Sequence, residues 1–375
     1  MKKIFSVLCA AVLAGTAAFV SPVFAAEESK STTIVLNTDD IKKALGLSIY
    51  LQGGYNYNFN GPESGLNDWR VFDQKANSFT LDLAQIVFAK DPAIGNVGFK
   101  LKLSAGETAK WIHSAGLGNA NDPFDLTEAY ISYVAPLGKG VRFDFGKWAT
   151  FFGAEVIEAK DNVNYSRSFL FNYAIPFTHT GLKVGYSITD ALTVGLHMVN
   201  GWDNATDNNK GKSYGASIGF APVEQFSTIV NVMSGPEQAN NNSNYRSLVD
   251  VVTTIKPIKP LTIILNYDYG YESKFTDSAG TYLGGSHWSG ISAITKVDIN
   301  DMHSVALRGE YFRDDNAART GFVQELKEVT LTWETRLVGN LILRPEYRHD
   351  WSNKATFDGA KKQQDTLALG VMYTW

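Results

Sequence analysis

Cysteine is almost missing from this chain: there is one in 375 residues, and that one, Cys9, lies inside an N-terminal apolar run. Lys2 and Lys3 precede the run, Ile4 to Val20, and Val23-Phe24-Ala25 offers small residues where a signal peptidase reads them, so cleavage is expected after Ala25. Too few residues precede Cys9 for a lipoprotein signal. A mature chain starting near Ala26 therefore has no cysteine, which excludes disulfides, thiolate metal sites, covalently attached haem and cysteine nucleophiles. Long apolar runs are missing as well. Mean hydropathy is −0.14, and no later segment approaches the roughly 18 apolar residues of a spanning helix. Strong charge is also absent: the net charge of −4 becomes −6 without the two signal lysines, too weak and of the wrong sign for a nucleic-acid partner.

Other chemistry leaves equally little trace. The six histidines, His113, His179, His197, His287, His303 and His349, are scattered, with no His-x-x-x-His or Glu-x-x-His cluster on one strand face, which argues against a metal site. The Gly-x-Ser-x-Gly spacings at 211–215 and 215–219 fall in and before a period-two strand and not at a strand-to-helix turn, so no enzyme is expected and no cofactor is needed. Residues 203–209 and 240–244 are rich in Asn and Asp, but their spacing does not match a helix-loop-helix calcium site and reads as solvated loop.

What is present is alternation. The last eleven residues, D-T-L-A-L-G-V-M-Y-T-W, place Leu367, Leu369, Val371, Tyr373 and Trp375 on one parity and mostly small or polar residues on the other. Such a row needs an apolar solvent, so this is a membrane strand. A final strand ending in aromatic residues also resembles the signal by which the bacterial outer-membrane assembly machinery takes up its barrels, which singles out Tyr373 and Trp375. Period-two patterning yields about 16 strands: 48–59, 78–90, 96–106, 126–135, 141–149, 179–188, 191–201, 212–221, 225–234, 245–256, 260–271, 286–298, 303–313, 324–337, 340–350 and 364–375. Connections after even-numbered strands are tight, such as Thr189-Asp190 and Val338-Gly339. Those after odd-numbered strands are long and polar. A transmembrane antiparallel β-barrel with periplasmic turns at one rim and extracellular loops at the other must alternate in this way, whereas a soluble sandwich or propeller has no reason to. The expected domains are a signal peptide (1–25), a periplasmic segment (26–47) in which Thr38-Asp39-Asp40 could cap a helix from Ile41 to Leu45, and an all-β barrel (48–375).

The same alternation assigns faces. It turns Lys100, Lys102, Arg142, Asp144, Asp268, Arg308, Glu310, Glu334, Arg336, Arg344, Glu346 and Arg348 inward as pore-lining candidates. Burying unpaired ions costs several kcal/mol each, so the interior must hold water. Pairing of these charges into a ladder that stiffens the wall is an equally consistent reading.

The longest connection, Thr150 to Thr178, is too apolar to stand in water. Phe151, Phe152, Phe169, Leu170, Phe171, Tyr173, Ile175 and Phe177 would form an exposed patch, so the third loop is expected to fold into the lumen. Strands 179–188, 191–201 and 212–221 carry inward Gly181, Gly185, Ser187, Thr193, Gly195, Ser213, Gly215, Ser217 and Gly219, which leaves room for it there.

Around this loop the chain resembles the bacterial β-barrel porin-2, OmpL-like family. The matching residues are Gly146-Lys147, Gly153-x-Glu155-Val156, Asn162-x-Asn164-x-Ser166-Arg167-Ser168, Leu170-Phe171, Pro176-x-x-His179-Thr180-Gly181 and Asn200-Gly201-Trp202-Asp203. The resemblance implies an outer-membrane barrel with a pore but supplies no solute. By looser analogy with the trimeric porins, the inserted loop forms an eyelet and the chain a homotrimer. Glu155, Glu158 and Asp161 would then face a basic wall of Arg142, Arg308, Arg336, Arg344 and Arg348 and set a transverse field favouring polar solutes. Arg167, with five fixed donors, suits pinning the loop, and His179 hydrogen bonding at its return. The expected function is passive diffusion of small hydrophilic solutes or ions across the outer membrane, with outer-membrane lipid, the assembly machinery and those solutes as partners. The alternative is a plugged or scaffold barrel that houses or docks a partner protein.

Overall fold

Strand β1 (Leu47–Asn58) pairs with β2 (Ser78–Lys90) on one side and with β16 (Gln363–Thr374) on the other, which closes the sheet on itself. The computed structural model describes residue 42 and residues 45–276 and 282–375. Between those two strands run β3 (Val97–Ala105), β4 (Phe124–Ala135), β5 (Val141–Ala149), β6 (Thr178–Ser187), β7 (Leu192–Val199), β8 (Ser213–Val223), β9 (Phe226–Pro236), β10 (Tyr245–Ile258), β11 (Leu261–Thr276), β12 (Tyr282–Asp298), β13 (His303–Asp314), β14 (Gln324–Leu337) and β15 (Leu341–Ser352). Every strand is antiparallel to its sequence neighbours, giving a closed barrel of 16 strands among the described residues. The seam is completed by Ile49 N donating to Trp375 O and Trp375 N to Ile49 O, both 2.9 Å. Closure leaves no row of unpaired backbone groups, the condition for a sheet to lie in hydrocarbon.

The face assignment follows the two-residue period. On β16, Leu367, Leu369, Val371 and Tyr373 are exposed, while Thr366, Ala368, Gly370 and Met372 are buried against the interior. On β15, Arg344, Glu346, Arg348 and Asp350 are buried and Pro345 and Tyr347 are exposed. A single residue of slip would put the charged set into lipid, so the register is strongly specified.

Two features depart from expectation. Strands β11 and β12 extend past 271 and begin before 286, with Glu272 paired to Ser286 and Phe275 to Gly284. Polar and glycine residues interrupt the alternation there without stopping the backbone ladder. A short helix α1, Glu107–Trp111, also forms in the connection after β3, closed by a Lys110–Glu107 ion pair of 2.6 Å. The signal peptide and most of the Ile41–Leu45 helix lie outside the described residues.

Candidate functional site: the third loop and its wall

Residues 150–177 carry little regular structure, only a 3₁₀ turn at Ala159–Asp161 and one π turn at Leu170–Ala174. Their backbone N–H and C=O groups therefore need partners from elsewhere. The barrel wall supplies them. Glu346 accepts from Tyr165 N (2.7 Å) and Ser166 N (3.0 Å), and Glu310 from Phe169 N and Leu170 N (2.6 Å each). Arginines serve the carbonyls: Arg308 donates to Ser166 O (2.8 Å), Arg344 to Ala159 O (2.5 Å) and Asn164 O (3.1 Å), and Arg348 to Arg167 O (2.6 Å). Charge-assisted bonds of this kind are about twice as strong as neutral ones.

Within the loop, Asn162 both donates to Val156 O (2.7 Å) and accepts from Val156 N (2.8 Å), closing a tight turn. Arg167 donates to the carbonyls of Val156, Tyr165 and Ile157, spending its donors inside the loop. Glu155 joins loop to wall through Arg308 (2.7 Å) and also accepts from Ser168 N (2.7 Å). At the lower turn Glu158 meets Lys102 (2.7 Å) and Gln85 (2.8 Å). Burial by itself would raise the Glu158 carboxyl, but the Lys102 ammonium outweighs that and holds it below the usual carboxylate range. Asp161 pairs with its neighbour Lys160 at 2.5 Å and stays exposed. Aromatic packing supplies the rest: Tyr165 donates to Asp82 (2.7 Å), and its ring closes on Gly370, where an added Cβ would lie 2.3 Å away.

The transverse arrangement expected from the sequence is corrected by these contacts. Arg308, Arg344 and Arg348 do face inward, but they are buried beneath the loop as its anchors and line no water. Arg142 binds Asp144 (2.8 Å) and Arg336 binds Glu334 (2.7 Å), both away from the loop carboxylates. Glu158 turns to β3, and of the three loop acids Glu155 meets one of the five arginines, Arg308. The physical reason is the loop's irregular backbone, whose unpaired groups take up the wall charges that a free field would have needed.

The wall the loop chooses also differs. Only its stem touches the small-residue strands, where Phe151 stacks on His197 at 3.8 Å and approaches Gly215. Beyond Gly153 the chain crosses to β10 and β11 through Ala154 N and Asn266 (3.1 Å), then to β13–β15, β1 and β2. Gly185 has nothing within 4 Å of an added Cβ. His179 bonds Thr150 (3.0 Å) at the point where the loop leaves and rejoins the wall. Of the remaining candidates, Lys100 pairs with Glu128 (3.0 Å), and Asp268 is fully buried opposite Asp250 on the neighbouring strand.

Two contributors had no role assigned from the sequence, although the second belongs to the residues that carry the family resemblance. The first loop also turns inward: Arg70 joins Asp350 (2.6 Å) and Asp73 (2.5 Å), and Phe72 packs on Phe171 and Phe177. The run Trp69-Arg70-Val71-Phe72 carries the same cue, apolarity in a nominal loop, that marked the third one. The second is Asn200-Gly201-Trp202-Asp203. Asp203 accepts from Phe177 N and Thr178 N (2.8 Å each), capping the loop's return, and burial raises its carboxyl against those two donors. Trp202 N donates to Glu237 (2.8 Å), and the guanidiniums of Arg246 and Arg319 lie 4.8 and 5.0 Å from its ring.

Comparison with known proteins agrees with this architecture. The family described as "Putative beta-barrel porin-2, OmpL-like" matches residues 44–375. The outer membrane channel DcaP of Acinetobacter baumannii is similar at TM-score 0.60 and 13% identity, over 88% of this chain and 96% of that one. OmpF of Salmonella typhi gives 0.63 and 12% over 88% and 97%, and an anion-selective porin from Comamonas acidovorans 0.57 and 10% over 88% and 98%. No curated protein matches in sequence.

Proposed function

Because this chain belongs to the beta-barrel porin-2, OmpL-like family, we propose that it is an outer-membrane porin through which small hydrophilic solutes diffuse, past a constriction made by residues 150–177. The observation that carries the reading is the one-sided seating of that loop. It is held by buried charges on β13–β15, while the glycine- and serine-rich inner face of β6–β8 stays largely uncovered. A loop fastened to one wall narrows a barrel without filling it. Export by the signal peptide, recognition of Tyr373 and Trp375 during assembly, and a homotrimeric state belong to the same proposal.

A plugged or scaffold barrel is the second reading, and it has its own support. The first loop adds Arg70 and Phe72 to the interior, and both are buried there. Single-channel recording of the refolded mature chain in a planar bilayer, with graded neutral sugars, separates the two. Open steps that admit small sugars, and a larger conductance after deletion within 155–175, are expected of the porin. A folded, heat-modifiable barrel that stays silent would transfer the function to the second reading.

A further inference from the structure

Resting on the channel reading, the geometry points to small anionic solutes as the class this pore favours, selected by four wall cations: Lys100 on β3, Arg142 on β5, Lys183 on β6 and Arg336 on β14. The inference comes from which charges meet water. These side chains are 29, 36, 30 and 52% exposed, whereas the carboxylates they pair with are 6% (Glu128), 1% (Asp144) and 6% (Glu334) exposed. The same holds around the barrel. Among the described residues, Asp82, Asp125, Asp250, Asp268, Glu272, Glu310, Asp314, Glu328, Glu346 and Asp350, the other carboxylates that strands turn inward, are all buried. The exception is Asp298, the last residue of β12, which pairs with Lys296 (2.7 Å) at the rim.

Local stoichiometry points the same way. Asp144 is shared by Arg142 (2.8 Å) and Lys183 (3.2 Å) and also accepts from Ser132, so two cations face one saturated acid. Glu334 is shared by Arg336 (2.7 Å) and the buried Arg344 (2.5 Å). Arg336 uses Nε in that pair, which leaves its terminal nitrogens to the water. Lys100 borders a cavity of about 480 Å³ under the loop, beside Lys160, Glu158 and Asp161. The opposing charges there are the exposed Asp161, matched by Lys160, and on the adjoining turn Asp91, 3.6 Å from Arg142. Asp91 brings the acids around Arg142 and Lys183 to two, so the cation left over in the exposed layer is Arg336, whose acid is already held by Arg344. The paired acids lie 2.7–3.2 Å behind these cations, inside the screening length of about 8–10 Å at physiological salt, so a passing solute meets ion pairs whose positive ends face the water. Rings of Lys and Arg serve anion and phosphate pores in this way, and the donors suit an oxyanion, whether carboxylate or phosphate.

The test is the reversal potential of the refolded mature chain in a planar bilayer under a KCl gradient, followed by liposome swelling with gluconate and with a neutral sugar of similar size. Wild type should prefer chloride and admit gluconate faster than the sugar. The variant carrying Lys100→Gln, Arg142→Gln, Lys183→Gln and Arg336→Gln should conduct with its anion preference reduced severalfold. An open wild-type channel that prefers cations, or neither ion, overturns the inference and leaves the porin reading intact. An anion preference unchanged in the variant removes these residues as its source and equally overturns it. Should the fourfold variant fail to fold, Lys183→Gln and Arg336→Gln are measured singly, and an unaltered ratio in both has the same force. A folded but silent wild type refutes the porin reading itself, and the inference with it.

Discussion

On β13–β15 the inward positions carry Arg308, Glu310, Glu328, Arg344, Glu346, Arg348 and Asp350, all of them buried; on β6–β8 they include Gly181, Gly185, Gly195, Gly215, Ser217 and Gly219, all of them partly open. The first wall is crowded with charge because an irregular segment lies on it, and its N–H and C=O groups are satisfied by carboxylates and guanidiniums in turn. The second is bare. Small residues in a barrel interior thus mark where space is left over, and charged residues mark where the loop is fastened. Ion pairs of this kind are weak evidence for stability in themselves, since desolvation offsets much of their attraction. Their value here lies in fixing where the loop rests.

The largest effect is expected from breaking the fastening. Arg308→Ala leaves Glu155 and Glu328 without their shared cation, which typically costs about 3–5 kcal/mol for a buried pair. Because the strand ladder does not depend on it, the loss should appear as a released loop: higher conductance and a larger sugar cut-off in a barrel that remains heat-modifiable. Unchanged conductance would mean that the anchor is redundant. Next comes Gly370→Leu, which drives a side chain into the Tyr165 ring. Overpacking of this sort typically costs about 1–3 kcal/mol. Since residues 26–375 contain no cysteine, Ser166→Cys in that stretch provides a single reporter, and its thiol labelling should accelerate when Gly370→Leu is added.

A smaller effect concerns the outer end of the loop. Burial pushes the Glu237 carboxyl up to about 7, with Arg246 opposing and Asp203 adding to the rise. A raised folded value means that the folded node holds a proton the opened one releases. Its contribution is therefore complete below the ordinary glutamate range and is lost as pH rises through about 7. Hydrogen exchange over 200–212, corrected for the intrinsic rate, should quicken across that interval in wild type and stay level in Glu237→Gln. The same pH response in both proteins would assign it to another group. The smallest effect belongs to the wall of β6–β8: a Cβ added at Gly185 meets nothing within 4 Å, so in Gly185→Leu stability should hold while conductance falls slightly. A large loss of stability there would show that the wall is packed after all.

Much of this was legible in the residues. The strand count, the alternation of turn lengths and the inward parity of the charged strands follow from a period of two and from turn composition, both local signals. The inward folding of 150–177 was readable for a different reason, the cost of exposing Phe169, Leu170 and Phe171. What could not be read was the choice of wall. Glycines in β6–β8 say that a segment would fit, but which carboxylate meets which N–H depends on the path of an irregular backbone, and no periodicity encodes that. Arg70 was missed because it sits in a nominal loop, and its partner Asp350 is 280 residues away.

The partners of the third loop also lie far along the chain. Glu310 and Arg344 follow the loop residues they hold by 140 and 185 positions. Contacts of such separation form late, because the intervening chain must first be ordered. When the first six strands have paired, the loop has no wall to rest on, and its phenylalanines lack the cover they have in the closed barrel. The third loop is therefore the part of the fold whose seating waits on the last strands.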